Sequence, residues 1–568
     1  MKIIIVGGVA LGASAAARSR RLDEEAQIIM FERGPFVSFS NCCLPNHLSG
    51  QIETWEELIL LSPEILGAFF NIDARVNSEV IRIDKENKEV IVKNNITNEE
   101  YTEGYDKLVI GSGADAFVPP FEGLDKIDHF SLKTVPDAKG IVDFINAKKP
   151  KHITVVGGGF IGLEAAENLR HIGIEVTLVE GLKSIIPFVD EDISFFGQKE
   201  MVENGVEIIV NDLVEKFDTK KVYLKSGKII ESDGVIIAIG IRPATKWLED
   251  SGMKMDRGFI IVNDNYQTSI PDVYAGGDAI LVKNGITNEP QQLSMAGPAN
   301  KQGRLIADHM FGRKFVNKGY LGTGVVKLFN MNIACTGLRE KDMDKYDYDY
   351  DVVYANPPGI IKIMPGSHSV FSKLIYNKKD GKVLGAQFAS TGAVDKRADV
   401  IATAIKAEMT VYDLYDLELA YAPAFGTGKD VINKIGYIAT NLMEGLVKQV
   451  RFSDVYDLLK RDAQIIDVRE PLEYKGGHIK GIKNIQMSQF RNRLDEFDKS
   501  KPVYIYCLSG ERSYSMALAL KHYGFDAFNI AGGWDFLLNY EQTMQYNYSD
   551  RKNILTGTQS LNCKGHVN

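Results

Sequence analysis

Ile153-Thr-Val-Val156-Gly157-Gly-Gly159-Phe160-Ile-Gly162 reads as a short β-branched strand running into a glycine turn and the first turn of a helix. Helical residues continue to about His171, and a second apolar run, 176–179, ends at Glu180. That order is one βαβ unit. In such a unit the first glycine permits the tight turn, the second brings the backbone up to a pyrophosphate, and the third lets the helix pack on the strand. The helix start offers unpaired N–H groups and the positive end of its dipole to the phosphates. Gly157, Gly159 and Gly162 hold the three positions, and Glu180 stands where an acid bonds a ribose 2′-hydroxyl. The bland alternative is a glycine-rich turn that binds nothing; the complete βαβ context favours a dinucleotide site.

A second unit of this kind opens the chain. Residues 2–6 are apolar and β-branched, Gly7-Gly8-Val-Ala-Leu-Gly12 forms the turn, 13–22 is helical, and the run 28–31 ends at Glu32. Here Val9 takes the middle glycine position. Two later segments strengthen the unit. Tyr105-Asp-Lys-Leu-Val-Ile-Gly111-Ser-Gly-Ala114 is a buried strand ending in a glycine turn, and Pro271-Asp-Val-Tyr-Ala-Gly-Gly-Asp278-Ala is its companion. Two units imply two nucleotide cofactors and a repeated module, not a solenoid.

The chain has 568 residues and a mass of 63.1 kDa, enough for roughly three to five domains. With 45% hydrophobic and 25% charged residues it is not disordered, collagen-like or coiled-coil. A net charge of −9 gives no basic footprint for nucleic acid. The apolar opening is interrupted by Gly7, Gly8 and Gly12, so it is expected to be neither a signal peptide nor a membrane span, and no later run is long enough to span a bilayer. Five cysteines, at 42, 43, 335, 507 and 563, are few and odd in number, which points to a reducing cytoplasm. Cys563 and His566 alone do not make a zinc site, and no metal is expected. Cys335 lies in an apolar run and reads as core.

From 322 to 434 the pattern changes. Strands at 324–328, 372–376 and 383–387 alternate with helical runs such as 398–405, and there is no third glycine fingerprint, so this region is expected to pack or dimerise. A fresh start near 450–453 opens a small α/β domain with strands at 465–468, 504–506 and 528–530.

Over residues 1–445 the motifs and their order resemble the two-dinucleotide-domain flavoprotein disulfide reductases. The resemblance implies FAD at the first site (Gly7, Gly8, Gly12, Glu32, Gly111), with Asp278 on the ribityl chain. It implies NADH or NADPH at the second site (Gly157, Gly159, Gly162, Glu180), with Phe160 gating the flavin face.

Ser38-Phe-Ser-Asn41-Cys42-Cys43-Leu-Pro45 lacks the two cysteines four residues apart of glutathione-reductase-like members. It is similar to the single-cysteine segment of coenzyme A disulfide reductases, NADH oxidases and NADH peroxidases, which makes Cys42 the catalytic thiol. Such a thiol can hold a mixed disulfide, a persulfide or a sulfenic acid. Cys43 replaces the usual glycine or alanine and reads as a space-filling neighbour or a resolving thiol. The same resemblance makes Ser14, Arg18, Arg21, Ser38, Asn41, Asn300 and Lys429 the residues that contact coenzyme A. The bland reading of the arginines, with Arg20, is a solvated helix face. Of the two partner-subunit tyrosines that coenzyme A disulfide reductases place near the cysteine, one matches catalytic Tyr421. The other is missing, because the chain reads Ile363-Met364-Pro365-Gly366.

Residues 446–545 resemble a single-domain rhodanese. Asp467-Val-Arg469, Gly477-His-Ile479 and Gly532-Gly-Trp534 flank a loop, Cys507-Leu-Ser-Gly-Glu-Arg512-Ser513, that leads from a strand into a helix. Loop N–H groups and Arg512 favour an anionic sulfur there. Arg512 follows Cys507 by five positions, against six in tyrosine phosphatases, and the shorter loop fits a sulfur rather than a phosphate.

The expected fold is α/β: two Rossmann-like dinucleotide-binding domains, an α+β dimerisation domain and a C-terminal α/β rhodanese domain. The expected boundaries are 1–113 with 246–321 for FAD, 114–245 for NAD(P)H, 322–445 for dimerisation, 446–545 for the rhodanese and 546–568 as a flexible tail. The expected activity is NAD(P)H-driven reduction of coenzyme A persulfide, polysulfide or coenzyme A disulfide through Cys42, fed by sulfur on Cys507, in a cytoplasmic homodimer. The rivals are an NADH oxidase or peroxidase working through a sulfenic acid, and a flavin-bound redox sensor whose rhodanese domain docks a partner.

Overall fold

In a computed structural model, residues 1–561 are described. The chain divides into two compact units, the first built from 1–157, 164–174 and 214–320, the second from 158–163, 175–213 and the residues from 321 onward.

At the centre of the first unit is a parallel sheet in the order Val273–Ala275, Lys107–Ile110, Lys2–Val6, Gln27–Phe31, Ile72–Arg75. Ile3, Ile4 and Ile5 are fully buried, as an all-parallel sheet covered on both faces requires. Helix Ala10–Leu22 lies against helix Ala296–Met310, and the contact depends on Gly303, where an added Cβ would stand 2.3 Å from the Leu11 carbonyl oxygen. His152–Val156 pairs in parallel with Gly234–Ile237, which in turn pairs with His129–Phe130. Helix Val135–Lys148 begins with a capping box between Thr134 and Asp137 and a proline in its first turn, two signals that fix its start.

The second unit contains the parallel pair Glu175–Val179 and Val206–Ile209. It also contains an antiparallel sheet in the order Gly324–Leu328, Met331–Gly337, Val383–Ser390, Phe371–Asn377, Tyr350–Ala355. A third sheet is parallel: Lys448–Arg451, Ala527–Ala531, Val503–Tyr506, Gln464–Asp467, Lys483–Asn484. Phe536, on helix Gly533–Asn547 of this last fold, packs against Phe196, Phe371, Tyr354 and Phe452. Asn356 donates to Asp535, Asn441 to the Tyr514 hydroxyl and Gln449 to the Val352 carbonyl. The C-terminal fold is therefore docked within this unit, not tethered by a loose linker.

Beneath the aromatic cluster lies a buried ion network. Lys373, 1% exposed, meets Asp190, Asp192 and Glu340 at 3.0, 2.9 and 2.8 Å, and Glu340 also takes Arg451 at 2.6 Å. Removing the one ammonium would leave three carboxylates facing each other out of water. Lys373→Met is expected to cost about 3–5 kcal/mol, read as a lower urea midpoint; an unchanged midpoint would contradict this account of the network.

The flexible tail expected from 546 is corrected as far as Leu561. The helix runs to Asn547, Arg551 pairs with Glu541, Leu555 bridges to Ile479, and Ile554, Leu555 and Leu561 are buried. The segment's composition hid three apolar anchors. Cys563 and His566 lie outside the described residues.

Candidate active site

The first glycine turn is fixed by close backbone approach. A Cβ on Gly7, which has φ +96°, would sit 2.1 Å from the Gly111 carbonyl oxygen, and one on Gly12 would sit 1.8 Å from the Gly7 carbonyl oxygen. Glu32, at the end of its strand, accepts from the Gly8 N–H at 2.9 Å and the Gly34 N–H at 2.9 Å. In the second unit Glu180 does the same with Gly158 and Leu182, both at 2.7 Å. The two turns thus use one device: a strand-end carboxylate held over the turn by main-chain donors. A Cβ on Gly159 would meet no protein atom within 4 Å, and the equivalent position in the first turn is Val9. Phe160 stacks on Phe188 with ring centres 3.9 Å apart.

Cys42 is brought to the first turn by the segment that follows Glu32. Ser38 donates its N–H to the Gly8 carbonyl at 2.8 Å and receives the Leu60 N–H on its own carbonyl. It adopts φ +47°, a left-handed conformation costly for a non-glycine residue and kept where surrounding bonds enforce it. The chain then enters a 3-10 turn, Asn41–Cys43, and helix Leu44–Leu48. Asn41 Nδ2 donates to the Lys133 carbonyl at 3.2 Å, and Lys133 Nζ reaches Asp278 at 3.3 Å, so three expected or neighbouring site groups are joined. Cys42 is exposed and Cys43 half-buried. The local fold raises the Cys42 pKa, first by partial desolvation and then by Glu164 and Cys43, with Lys133 opposing.

The expected coenzyme A residues divide. Ser14 Oγ donates to Asn300 Oδ1 at 2.8 Å, which brings two of them together. Arg18 is held by Asp308 through Nε at 2.8 Å and Nη2 at 2.5 Å, and Arg21 is exposed over Phe70. Arg20 is structural: it is buried and donates to the carbonyls of Phe70, Asp23, Glu24, Ala26 and Asn71. In the second unit Tyr421 and Lys429 lie on an exposed segment, and Ile363 is 90% exposed.

Cys507 is buried, 0% exposed. Its Sγ accepts from the Gly510 N–H at 3.1 Å and the Ser513 hydroxyl at 3.5 Å. The main chain of Gly532–Asp535 runs beneath the loop: Trp534 N–H donates to the Cys507 carbonyl and Asp535 N–H to that of Leu508. Gly533 is required there, because a Cβ would come within 2.6 Å of the Cys507 oxygen. Arg512 forms a two-pronged ion pair with Glu473, at 2.7 and 2.6 Å. Cys335 is buried as expected, its thiol pushed up to about 11 by burial.

Five groups were missed in the sequence: Lys133, Glu164, Phe188, Glu473 and Asp535. Only Glu164 carried a signal, since it follows the third glycine by two positions.

Models of the pyridine nucleotide-disulphide oxidoreductases match residues 1–302, and the model of their dimerisation domain matches 324–430. The chain belongs to that family. A rhodanese-like domain matches 452–537. A coenzyme A disulfide reductase of Staphylococcus haemolyticus is 33% identical over 443 residues, 78% of this chain and 100% of that one. The structure of reduced Bacillus anthracis CoADR-RHD is similar with a TM-score of 0.92 at 43% identity, covering 95% of this chain and 98% of that one. A NAD-dependent persulfide reductase from A. fulgidus is similar with a TM-score of 0.89 at 32% identity, covering 94% and 100%. The protein is an FAD- and NAD(P)H-dependent oxidoreductase with a C-terminal rhodanese domain.

The residues of this flavoprotein fit the FAD it requires. Ser112 Oγ, beside Gly111, is buried with no hydrogen-bond partner among the described residues, a polar group awaiting one. Asp278 and Lys133 present a charged pair within the same unit. Glu164 adds a titratable neighbour, its carboxyl pushed up to about 7 by burial and then by Glu167. Glu164→Gln removes a negative charge that disfavours the Cys42 thiolate. Alkylation of Cys42 by iodoacetamide at pH 8 should then speed up about threefold, and its pH midpoint should fall. A midpoint that stays or rises would contradict the coupling.

Proposed function

We propose that this flavoprotein uses NADH to reduce coenzyme A persulfide, with Cys507 supplying the sulfur and Cys42 accepting the substrate. The observation that carries the reading is the pairing in one chain of a single-cysteine reductase segment with a complete, docked Cys507 cradle. The net reaction is balanced as R–S–SH + NADH + H⁺ → RSH + H₂S + NAD⁺. Cys507, carrying a persulfide, passes its outer sulfur to the coenzyme A thiolate and is left as a thiolate. Cys42 thiolate attacks the carbon-bound sulfur of coenzyme A persulfide; hydrosulfide leaves, and Cys42 is left disulfide-bonded to coenzyme A. The Gly7–Gly12 turn, Glu32, Gly111 and Asp278 would hold FAD, which when bound and reduced by NADH would supply the two electrons needed to release both thiolates. Lys133 opposes the charge of the freed Cys42 sulfur.

Coenzyme A disulfide is the poorer acceptor in this reading. Both of its cleavage steps expel an alkyl thiolate, whereas the persulfide expels hydrosulfide in one of them. The chain offers Tyr421 but Ile363 and Met364 where a second hydroxyl donor would stand.

Ser14, Arg18, Arg21, Ser38, Asn41, Asn300 and Lys429 are assigned to coenzyme A, Phe160 to gating the flavin, and Arg512 to the persulfide on Cys507. We place the division into FAD, NAD(P)H, dimerisation and rhodanese domains at 113/114, 245/246, 321/322 and 445/446. The protein acts as a homodimer, with Tyr421 and Lys429 serving the partner's site, in the cytoplasm; the matched dimerisation domain supports the first of these. Glu180 is assigned to the two ribose hydroxyls of NADH, so NADH is expected to exceed NADPH in kcat/KM; parity would refute that role. Anaerobic oxidation of NADH by coenzyme A persulfide with one sulfide released per NADH tests the reaction; NADH loss without sulfide would overturn it.

A further inference from the structure

We propose that the Glu473–Arg512 ion pair makes Cys507 selective for a thiol-borne persulfide and unreceptive to a sulfur-oxyacid dianion such as thiosulfate. The inference rests on the reading of Cys507 as the sulfur carrier and names the donor class that loads it.

Thiosulfate brings two negative charges to a sulfur that must itself be anionic to attack, so its use requires cations at the entry. The loop 507–513 has one cation, Arg512, and both of its terminal nitrogens are taken by the two oxygens of Glu473. Arg469 is buried and doubly bonded to Asp467, with a further bond to the Gly477 carbonyl. Two acids also stand by the loop. Glu511 is exposed in the first turn of the following helix, and Asp535 lies beneath the loop, within reach of Glu473. Lysines of the dimerisation region stand near them: Lys434 faces Glu511, with Lys362 and Lys429 beside it, and Lys362 also faces Asp535. The loop's own cation is therefore compensated by Glu473 before a dianion arrives.

The loop's rim is apolar. Leu508 follows Cys507 and is 40% exposed; Leu472 precedes Glu473 and is 83% exposed. The loop is not poised to rearrange around a different charge, because its first two carbonyls are held by Trp534 and Asp535. A donor with a neutral sulfur end suits this surface. The loading step is Cys507–S⁻ + R–S–SH → Cys507–S–SH + R–S⁻: the thiolate takes the outer sulfur, the donor's S–S bond breaks, and the electron pair leaves on the donor thiolate. With thiosulfate the leaving group would be sulfite, a dianion that the same surface disfavours.

The test uses the full-length holoprotein with cysteine persulfide and with sodium thiosulfate. Loading is read as one added sulfur on the Cys507 peptide by mass spectrometry, and turnover as thiocyanate formed with cyanide. The wild type should prefer cysteine persulfide by at least roughly 100-fold in kcat/KM, the scale of one unit charge at close range under partial screening. Glu473→Gln should narrow that ratio at least tenfold, mainly through a lower KM for thiosulfate, and Glu473→Asp should keep the wild-type ratio. Leu508→Lys, on the exposed side of the loop, should narrow the ratio in the same direction, and it stands in for the first variant if that one does not fold. Equal use of both donors by the wild type would overturn the donor assignment while leaving the carrier reading intact. So would an unchanged ratio in whichever of Glu473→Gln and Leu508→Lys folds. Loading by neither donor would overturn both.

Discussion

Cys42→Ser is expected to lose NADH-driven reduction of every sulfur acceptor by at least about 10³-fold, the scale on which loss of a nucleophile acts. The same variant should retain its bound flavin and its reduction by NADH, because Cys42 lies on the 3-10 turn after Ser38 and not in the glycine turns. Cys43→Ser should keep most of the turnover. The geometry behind the distinction is local. Asn41 is tied to the Lys133 carbonyl, Lys133 reaches Asp278, and the Lys133 charge is felt at Cys42. Stopped-flow traces separate the two half-reactions: flavin reduction by NADH should be unaffected, and its reoxidation by persulfide should vanish. Full reoxidation in Cys42→Ser with loss in Cys43→Ser would reverse the assignment.

The second large effect concerns Cys507. Cys507→Ala should spare reduction of preformed coenzyme A persulfide and reduce turnover that starts from cysteine persulfide plus catalytic coenzyme A to the uncatalysed exchange rate. The docking of the rhodanese fold makes this a clean split. Phe536 is surrounded by aromatic side chains of the same unit, and Asn356, Arg451 and Asn441 add polar ties, so removing one buried sulfur leaves the docking contacts in place. Equal donor-dependent turnover in wild type and Cys507→Ala would show that the C-terminal domain is outside the sulfur path.

Much of this architecture is legible in the sequence because a few positions admit only glycine. Gly7 and Gly12 are forced by carbonyl oxygens about 2 Å from where a Cβ would stand, and such constraints leave an unmistakable pattern. Strand-end acids are equally legible, since Glu32 and Glu180 each directly follow the second strand of their unit. What composition conceals is partnership across long separations. Glu473 looks like any helix acid until the fold places it on Arg512, 39 residues away. The segment 546–561 reads as a tail by composition, yet Ile554, Leu555 and Leu561 are buried. Burial of Cys507 was also hidden, because it is imposed by the Gly532–Asp535 main chain and not by side chains near the cysteine in sequence. The Lys373 network joins residues 190 to 451, and no local pattern marks a lysine whose three acids come from such distances.

One comparison tests the central claim most directly: steady-state NADH oxidation by the full-length protein with coenzyme A persulfide, coenzyme A disulfide and oxygen, measured side by side. The account predicts that persulfide gives the highest kcat/KM, at least about tenfold above the disulfide, as a hydrosulfide leaving group implies. Oxygen should give little turnover. An oxygen rate equal to or above the persulfide rate, with water or peroxide as product, would contradict it and identify Cys42 as the bearer of a sulfenic acid.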